Sequence, residues 1–309
     1  MPDSAIPLRP VGRHQDRVSA IGLGGYHLGT IPTLKEATAV VRTAIDAGVT
    51  FMDNAWDYND GVSEIRMGKA LKGVRDQVFL MTKVCTHGRN GRTAMRQLEE
   101  SLTRLQTDHL DLWQIHECVY HDEPELHFAA GGVVEALDKA RQQGKVRYVG
   151  FTGHKDPAIL LRMLARDYPF DACQLPLNGF DATFHSFEQQ VLPVLNRRGI
   201  APIGMKSLGG GGVPVARKVV KVADALRYAM SLPVATTVSG IDSMKVLKQN
   251  LRIAANFTPM SATEMASYRT HCARWAPDGR FELYKTTAQY DGDEGRRQHG
   301  FPTRQDMAL

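Results

Sequence analysis

The sequence predicts an α/β protein built as a single (β/α)8 (TIM) barrel with an N-terminal extension and an irregular C-terminal tail. Eight short apolar runs of strand length recur along the chain. Amphipathic stretches with helical spacing separate them, as a parallel sheet with helical crossovers requires. Across 309 residues no shift of composition and no Pro/Ser-rich linker marks a boundary, and barrels of this kind routinely exceed the usual domain length. We expect one domain over 1–309, with the barrel at about 18–255 and the tail at 256–309.

In order, the expected strands are Val18–Leu23, Thr50–Asp53, Val78–Lys83, Leu110–His116, Val146–Phe151, Ala172–Leu175, Ile200–Met205 and Ala235–Ser239. A polar extension at 7–17 precedes the first and is expected to form a hairpin over the lower end of the barrel. Gly22, Gly24 and Gly25 in IGLGGYHLG approach a dinucleotide-binding glycine pattern. The helix is expected only after Thr33, so an open doubly wound sheet ranks below the barrel. Val40, Val41, Ala44 and Ile45 form a buried helical stripe that ends at Gly48. Met95, Leu98, Leu102 and Leu105 space a helix after the third strand, and Gly144 closes the one from about Gly132 to Gln143. Met244, Leu247 and Leu251 mark the helix after the eighth strand. Beyond Phe257 the chain reads as polar and irregular. Trp275, Phe281, Tyr284 and Tyr290 make it too aromatic for a plain disordered end, so part of it is expected to pack beside the site.

Composition narrows the function classes. Hydrophobic content of 43% and charged content of 23% fit a globular protein with a sizeable core. The formal charge of +5 is too diffuse to argue for nucleic acid, and RKVVK from Arg217 to Lys221 is explained by a solvated helix face. No run of about 18 apolar residues offers a membrane span. Cys85, Cys118, Cys173 and Cys272 contain no CxxC pair and fit neither a disulfide framework nor a zinc site. The N-terminus has no apolar core of a secretory signal. A cytoplasmic enzyme acting on a small molecule, as a monomer or homo-oligomer, is the expectation.

Asp53 and Tyr58 lie in FMDNAWDYN, Lys83 closes VFLMTK and His116 closes LDLWQIH. Each sits at or just past a strand end, which in a barrel places all four at the mouth where active sites form. The set suits proton delivery to a carbonyl during hydride transfer. A phenol with a pKa near 10 needs help to donate. An ammonium beside it lowers that pKa, and a carboxylate keeps the ammonium charged and oriented. Tyr58, Lys83 and Asp53 fill these roles, and His116 is placed to hydrogen-bond the substrate oxygen. Trp56 and Tyr26 are expected to wall the substrate pocket.

With these residues the chain resembles the aldo-keto reductase family, over roughly residues 18–255. The matching pattern is D-x-A-x-x-Y after the second strand (Asp53, Ala55, Tyr58), a Lys ending the third (Lys83) and a His ending the fourth (His116). The resemblance implies a (β/α)8 barrel and zinc-free reduction of aldehydes or ketones with NADPH, with NADH as a second possibility, through an ordered cofactor-first mechanism. For the nicotinamide carboxamide it implies Thr152 and Gly153, where the family has Ser-Asn, and Gln174. His154 is a further candidate where Gly153 lacks the amide. Met205 falls where a Tyr commonly stacks on the ring. Lys206, Ser207, Leu208 and Gly210, in GMKSLGGGG, are implied along the pyrophosphate. Ser239, Gly240, Ser243, Lys245 and Asn250 are implied toward the adenosine phosphate, with Val246 where an Arg commonly falls.

Two other readings use the same residues. A cofactor-binding regulatory subunit, similar to potassium-channel β subunits, would keep the site with little turnover; the intact set of four weighs against it. An aldolase with Lys83 as a Schiff-base lysine leaves Asp53 and Tyr58 without a task. The acid and histidine run from His116 to His127 matches no metal-ligand spacing and reads as a polar loop that shapes the pocket.

Overall fold

The computed structural model describes residues 5–85, 90–303 and 306–307. β1 (Leu8–Pro10) and β2 (Arg17–Ser19) pair as an antiparallel hairpin. The barrel strands are β3 (Ile21–Gly24), β4 (Phe51–Met52), β5 (Phe79–Val84), β6 (Leu110–Ile115), β7 (Val146–Thr152), β8 (Ala172–Pro176), β9 (Ala201–Met205) and β10 (Thr236–Gly240). All are parallel to their neighbours, and β10 pairs with β3 to close the circle. The expected strand Val18–Leu23 is thus two strands. The chain turns at Ala20, where the Ser19 hydroxyl donates to the Ile21 carbonyl and accepts from the Thr50 amide. Val18, Ala20, Ile21 and Leu23 keep an apolar pattern across the junction, so hydrophobicity hides the break.

Helices fill the crossovers. α1 (Gly25–Leu28) follows β3 at once, earlier than the sequence led us to expect, and α2 (Leu34–Asp46) starts at Thr33 with a reciprocal capping box to Glu36. α3 (Val62–Leu71), α4 (Gly91–Leu105), α5 (Glu123–Phe128), α6 (Val133–Gln142) and α7 (Pro157–Leu164) follow in turn. α8 (Phe187–Gln190), α9 (Leu192–Arg197), α10 (Val213–Ala216), α11 (Val222–Ser231) and α12 (Met244–Ala255) complete the repeat. The tail holds α13 (Ala262–Trp275), α14 (Leu283–Thr286) and α15 (Asp293–Gln298), which corrects the expectation of an irregular end.

Residues two apart on a strand share a face, and this parity builds the site. Phe51, Phe79, Met81, Leu112, Ala172, Ala201 and Ile203 form one buried cluster with Val11 and Val18 of the hairpin segment. Residues of opposite parity on the same strands, such as Leu80 and Val84, face outward and join the larger layer between strands and helices. Two residues further along the inner face come Asp53, Lys83, Gln114, Gln174 and Met205. The apolar layer is therefore topped by a polar one. Below it, Arg9 donates to the carbonyls of Met230 and Val234, and Arg13 pairs with Asp171, which ties the N-terminal segment across the strand starts as expected.

Candidate active site

Lys83 is 1% exposed and spends its ammonium on three acceptors. It donates to Asp53 Oδ1 at 2.7 Å, to the Asn54 carbonyl at 2.7 Å and to the Tyr58 hydroxyl at 3.3 Å. Gln174 Nε2 donates to the same Asp53 oxygen at 3.2 Å, and Gln174 Oε1 accepts from Gln114 Nε2 at 3.3 Å. A chain of polar contacts thus runs across the barrel from Gln114 to Tyr58. A buried ion pair offsets its desolvation only when further hydrogen bonds complete it, and the Asn54 and Gln174 contacts do that here. His116 follows on the rim. Its ring lies edge-on to Tyr58 with centroids 5.5 Å apart, and its Nδ1 donates to Asp57 Oδ1 at 3.0 Å. An ionised Asp57 only accepts, so it selects the Nδ1–H form.

The turn that carries Tyr58 is strained. Asn59 and Asp60 adopt left-handed backbone (φ 53° and 54°), which costs non-glycine residues roughly 1–2 kcal/mol each. Packing holds the turn in place: Arg104 of α4 donates to the Trp56 carbonyl at 2.9 Å and to the buried Glu64 at 3.2 Å. Trp56 itself was expected at the pocket wall, but its indole donates to Glu100 at 2.7 Å and lies under the Arg104 guanidinium, facing α4. Tyr26 does stand at the mouth, edge-on to Tyr58 at 5.5 Å and half exposed. Burial, reinforced by Asp53, Asp57 and Glu117, pushes the Tyr58 phenol well above its ordinary range. This reverses the lowering expected from Lys83. Desolvation outweighs one ammonium when three carboxylates lie near.

The expected cofactor positions sort by their surroundings. Thr152 lies at the end of β7, and its hydroxyl accepts from the Glu117 amide at 2.9 Å. At Gly153 an added Cβ would meet Leu160 at 2.5 Å and the Cys118 carbonyl at 2.7 Å, so the position has no room for the side chain that the family carries. His154, next along, is buried, and burial lowers its pKa to about 4, so the ring is neutral. Met205 ends β9, Lys206 follows it, and the loop beyond holds Gly209, Gly210 and Gly212 at φ 75°, 82° and 70°. Ser207 is buried, and Leu208 packs against the apolar cluster that contains Phe180 and Phe281. At β10, Asn250 Nδ2 donates to Ser239 Oγ at 3.0 Å, Ser243 caps α12, and Lys245 is exposed. Gly240 leaves space for the His27 ring, which would lie 2.3 Å from an added Cβ.

The tail packs onto the same mouth. Gly292 donates its amide to Glu117 at 2.9 Å, and Lys155 pairs with Asp291. Tyr284 accepts from Asn178 at 2.9 Å and donates to Glu282 at 2.6 Å. The Lys206 ammonium lies 5.6 Å from the Tyr284 ring and 5.3 Å from the Tyr290 ring. Burial lowers its pKa to about 8. Asp57, Gln114, His27 and Glu117 were not singled out from sequence as members of the site. Asp57 was legible inside the DNAWDY run, beside Tyr58; the others are near one another only because the barrel closes.

Comparison with known proteins follows the geometry. The family model described as "Aldo/keto reductase family" matches residues 20–221. Methylglyoxal reductase YeaE of Escherichia coli is 36% identical over 132 residues, 42% of this chain and 44% of that protein. The aldo-keto reductase yakc of Schizosaccharomyces pombe, whose name carries NADP(+), is 31% identical over 230 residues, 69% of this chain and 64% of that protein. The chain thus spans between 44% and 64% of these two relatives' lengths. Among solved structures, the holo form of an aldo-keto reductase from Bacillus halodurans superposes with a TM-score of 0.74 at 23% identity, covering 90% of this chain and 99% of that one. An aldo-keto reductase from Klebsiella pneumoniae in complex with NADPH gives 0.70 at 24%, covering 89% and 96%. These two likenesses speak to the fold.

Proposed function

Since the chain belongs to the aldo/keto reductase family, we propose that it is an NADPH-dependent oxidoreductase that reduces aldehydes or ketones to alcohols. The observation that carries the reading is the contact chain Asp53–Lys83–Tyr58 with His116 at 5.5 Å, set on the inner rim of the barrel.

The residues at the β7 to β10 ends fit a dinucleotide. The left-handed glycines at 209, 210 and 212 expose backbone N–H groups to an approaching pyrophosphate. Ser207, Leu208 and Gly210 would hold that segment, with Met205 against the nicotinamide, Gln174 and His154 near its carboxamide, and Ser243 and Lys245 toward the adenosine phosphate. Bound NADPH supplies the hydride that adds to the carbonyl carbon. Tyr58 gives its proton to the oxygen as negative charge builds there, and its raised pKa keeps that proton in place until then. The Lys83 ammonium, 3.3 Å away, stabilises the phenolate left behind. Asp53 fixes Lys83, and His116 positions the carbonyl. The Val246 position offers no guanidinium fork for a 2′-phosphate, so the assay includes an NADH arm.

The test is NADPH oxidation with aromatic and aliphatic aldehydes by the parent and Tyr58→Phe. We expect parent turnover, and a fall on the order of 10³-fold in the variant, within the range of a lost general acid. NADPH affinity by fluorescence titration should hold. Equal turnover by the two proteins removes Tyr58 as the acid; binding without turnover in both leaves a regulatory cofactor-binding role as the better reading.

A further inference from the structure

We propose that Lys206 forms an anion subsite at the mouth, and that the preferred substrates are carbonyl compounds carrying a carboxylate. The inference rests on the reading of this mouth as a carbonyl-reducing site and adds the substrate class.

Charge pairing around the tetrad carries it. Asp53 is held by Lys83, Asp57 by His116, and Glu117 accepts the Gly292 amide. Lys206 is the exception. Among the described residues its ammonium has neither a hydrogen-bond acceptor nor a carboxylate within bonding distance, and its recorded neighbours are the faces of Tyr284 and Tyr290. Two rings over a cation partly replace its hydration but satisfy none of its three N–H donors. It lies at the reacting end of the barrel, directly after Met205, which closes β9 beside Pro176, two residues past Gln174 on β8. Burial lowers its pKa to about 8, which leaves it mainly protonated at neutral pH. Its backbone is left-handed (φ 55°), and the Asn178 amide and the Gly209 N–H both bond its carbonyl, so the strained residue is braced in place. A strained, braced and half-buried ammonium without an acceptor is what a ligand anion completes.

Two anions compete for that role: a substrate carboxylate and a cofactor phosphate. Their separation needs a matched pair of substrates. We would measure kcat/KM for 4-oxobutanoate and for its methyl ester in the parent and in Lys206→Met, with NADPH affinity titrated for each. The parent should favour the acid, and the acid-to-ester ratio should fall at least about tenfold in the variant, whatever happens to the ester alone. A ratio unchanged by the substitution overturns the proposal, and a weakened NADPH affinity beside it reassigns the amine to the cofactor. Turnover of the ester without preference for the acid defeats this inference and leaves the reductase reading standing. Should the parent turn over neither compound, the aldehyde panel decides the reductase reading separately. Calorimetric titration of the NADP+-loaded protein with succinate then decides the subsite: saturable binding lost in Lys206→Met supports it, and no binding overturns it.

Discussion

Lys83 donates to Asp53, to the Asn54 carbonyl and to Tyr58 from a position 1% exposed to solvent. Removing it strands a buried carboxylate, and breaking a buried pair from one side costs about 3–5 kcal/mol. Lys83→Met should therefore lower the urea midpoint strongly, and adding Asp53→Asn should recover much of the loss. A double variant as unstable as the single one would mean that Lys83 acts through packing and not through charge. The four candidate residues were legible in the sequence for a simple reason. Lys83 continues the inward parity of Phe79 and Met81, and His116 that of Leu112 and Gln114. Gly153 was legible as a departure, yet its cause was not: Leu160 and the Cys118 carbonyl occupy the space where a side chain would start. The contacts of Trp56 were illegible for the same kind of reason, since Glu100 and Arg104 come from a helix packed beside its turn.

At the level of elements, each barrel strand coincides with an apolar run, because strands buried on both faces read as continuous hydrophobic stretches. The errors fall where that signal is ambiguous. β2 and β3 merged, since one residue, Ala20, separates them and the apolar pattern from Val18 to Leu23 runs across it. α13 was taken for irregular chain because it buries little: Met265 and Cys272 are its buried residues. Its start was nevertheless written in the sequence as Ser261-Ala-Thr-Glu264, a capping box that the structure shows closed in both directions. Ser261→Ala should cost about 1 kcal/mol. Hydrogen exchange of the first turn of α13 should rise before any change in the barrel. Unchanged protection there would show that Arg227, which holds Glu264 from α11, suffices to fix the helix start.

For the whole molecule, the tail is the part whose place depends most on tertiary contacts. The Lys285 side chain is 1% exposed, between Asp181 at 2.6 Å and Glu282 at 3.0 Å, and it joins α14 to the loop after β8. Burial raises the pKa of both carboxylates, and the Lys285 ammonium acts against that rise. Lys285→Met should cost about 3–5 kcal/mol, expressed first as faster hydrogen exchange over residues 281–299 while the barrel core stays protected. Loss of protection in barrel and tail together would instead mean that they unfold as one unit. The sequence by itself determined the barrel, its strand order and the four residues at its rim, because two-residue and helical periodicities are local properties of the chain. Tertiary structure alone decided which acids neutralise which bases, why Tyr58 holds its proton so firmly, and which residue of the mouth keeps an ammonium without an acceptor. Those depend on desolvation and on groups brought together from residues 26 to 292, distances that no local pattern encodes.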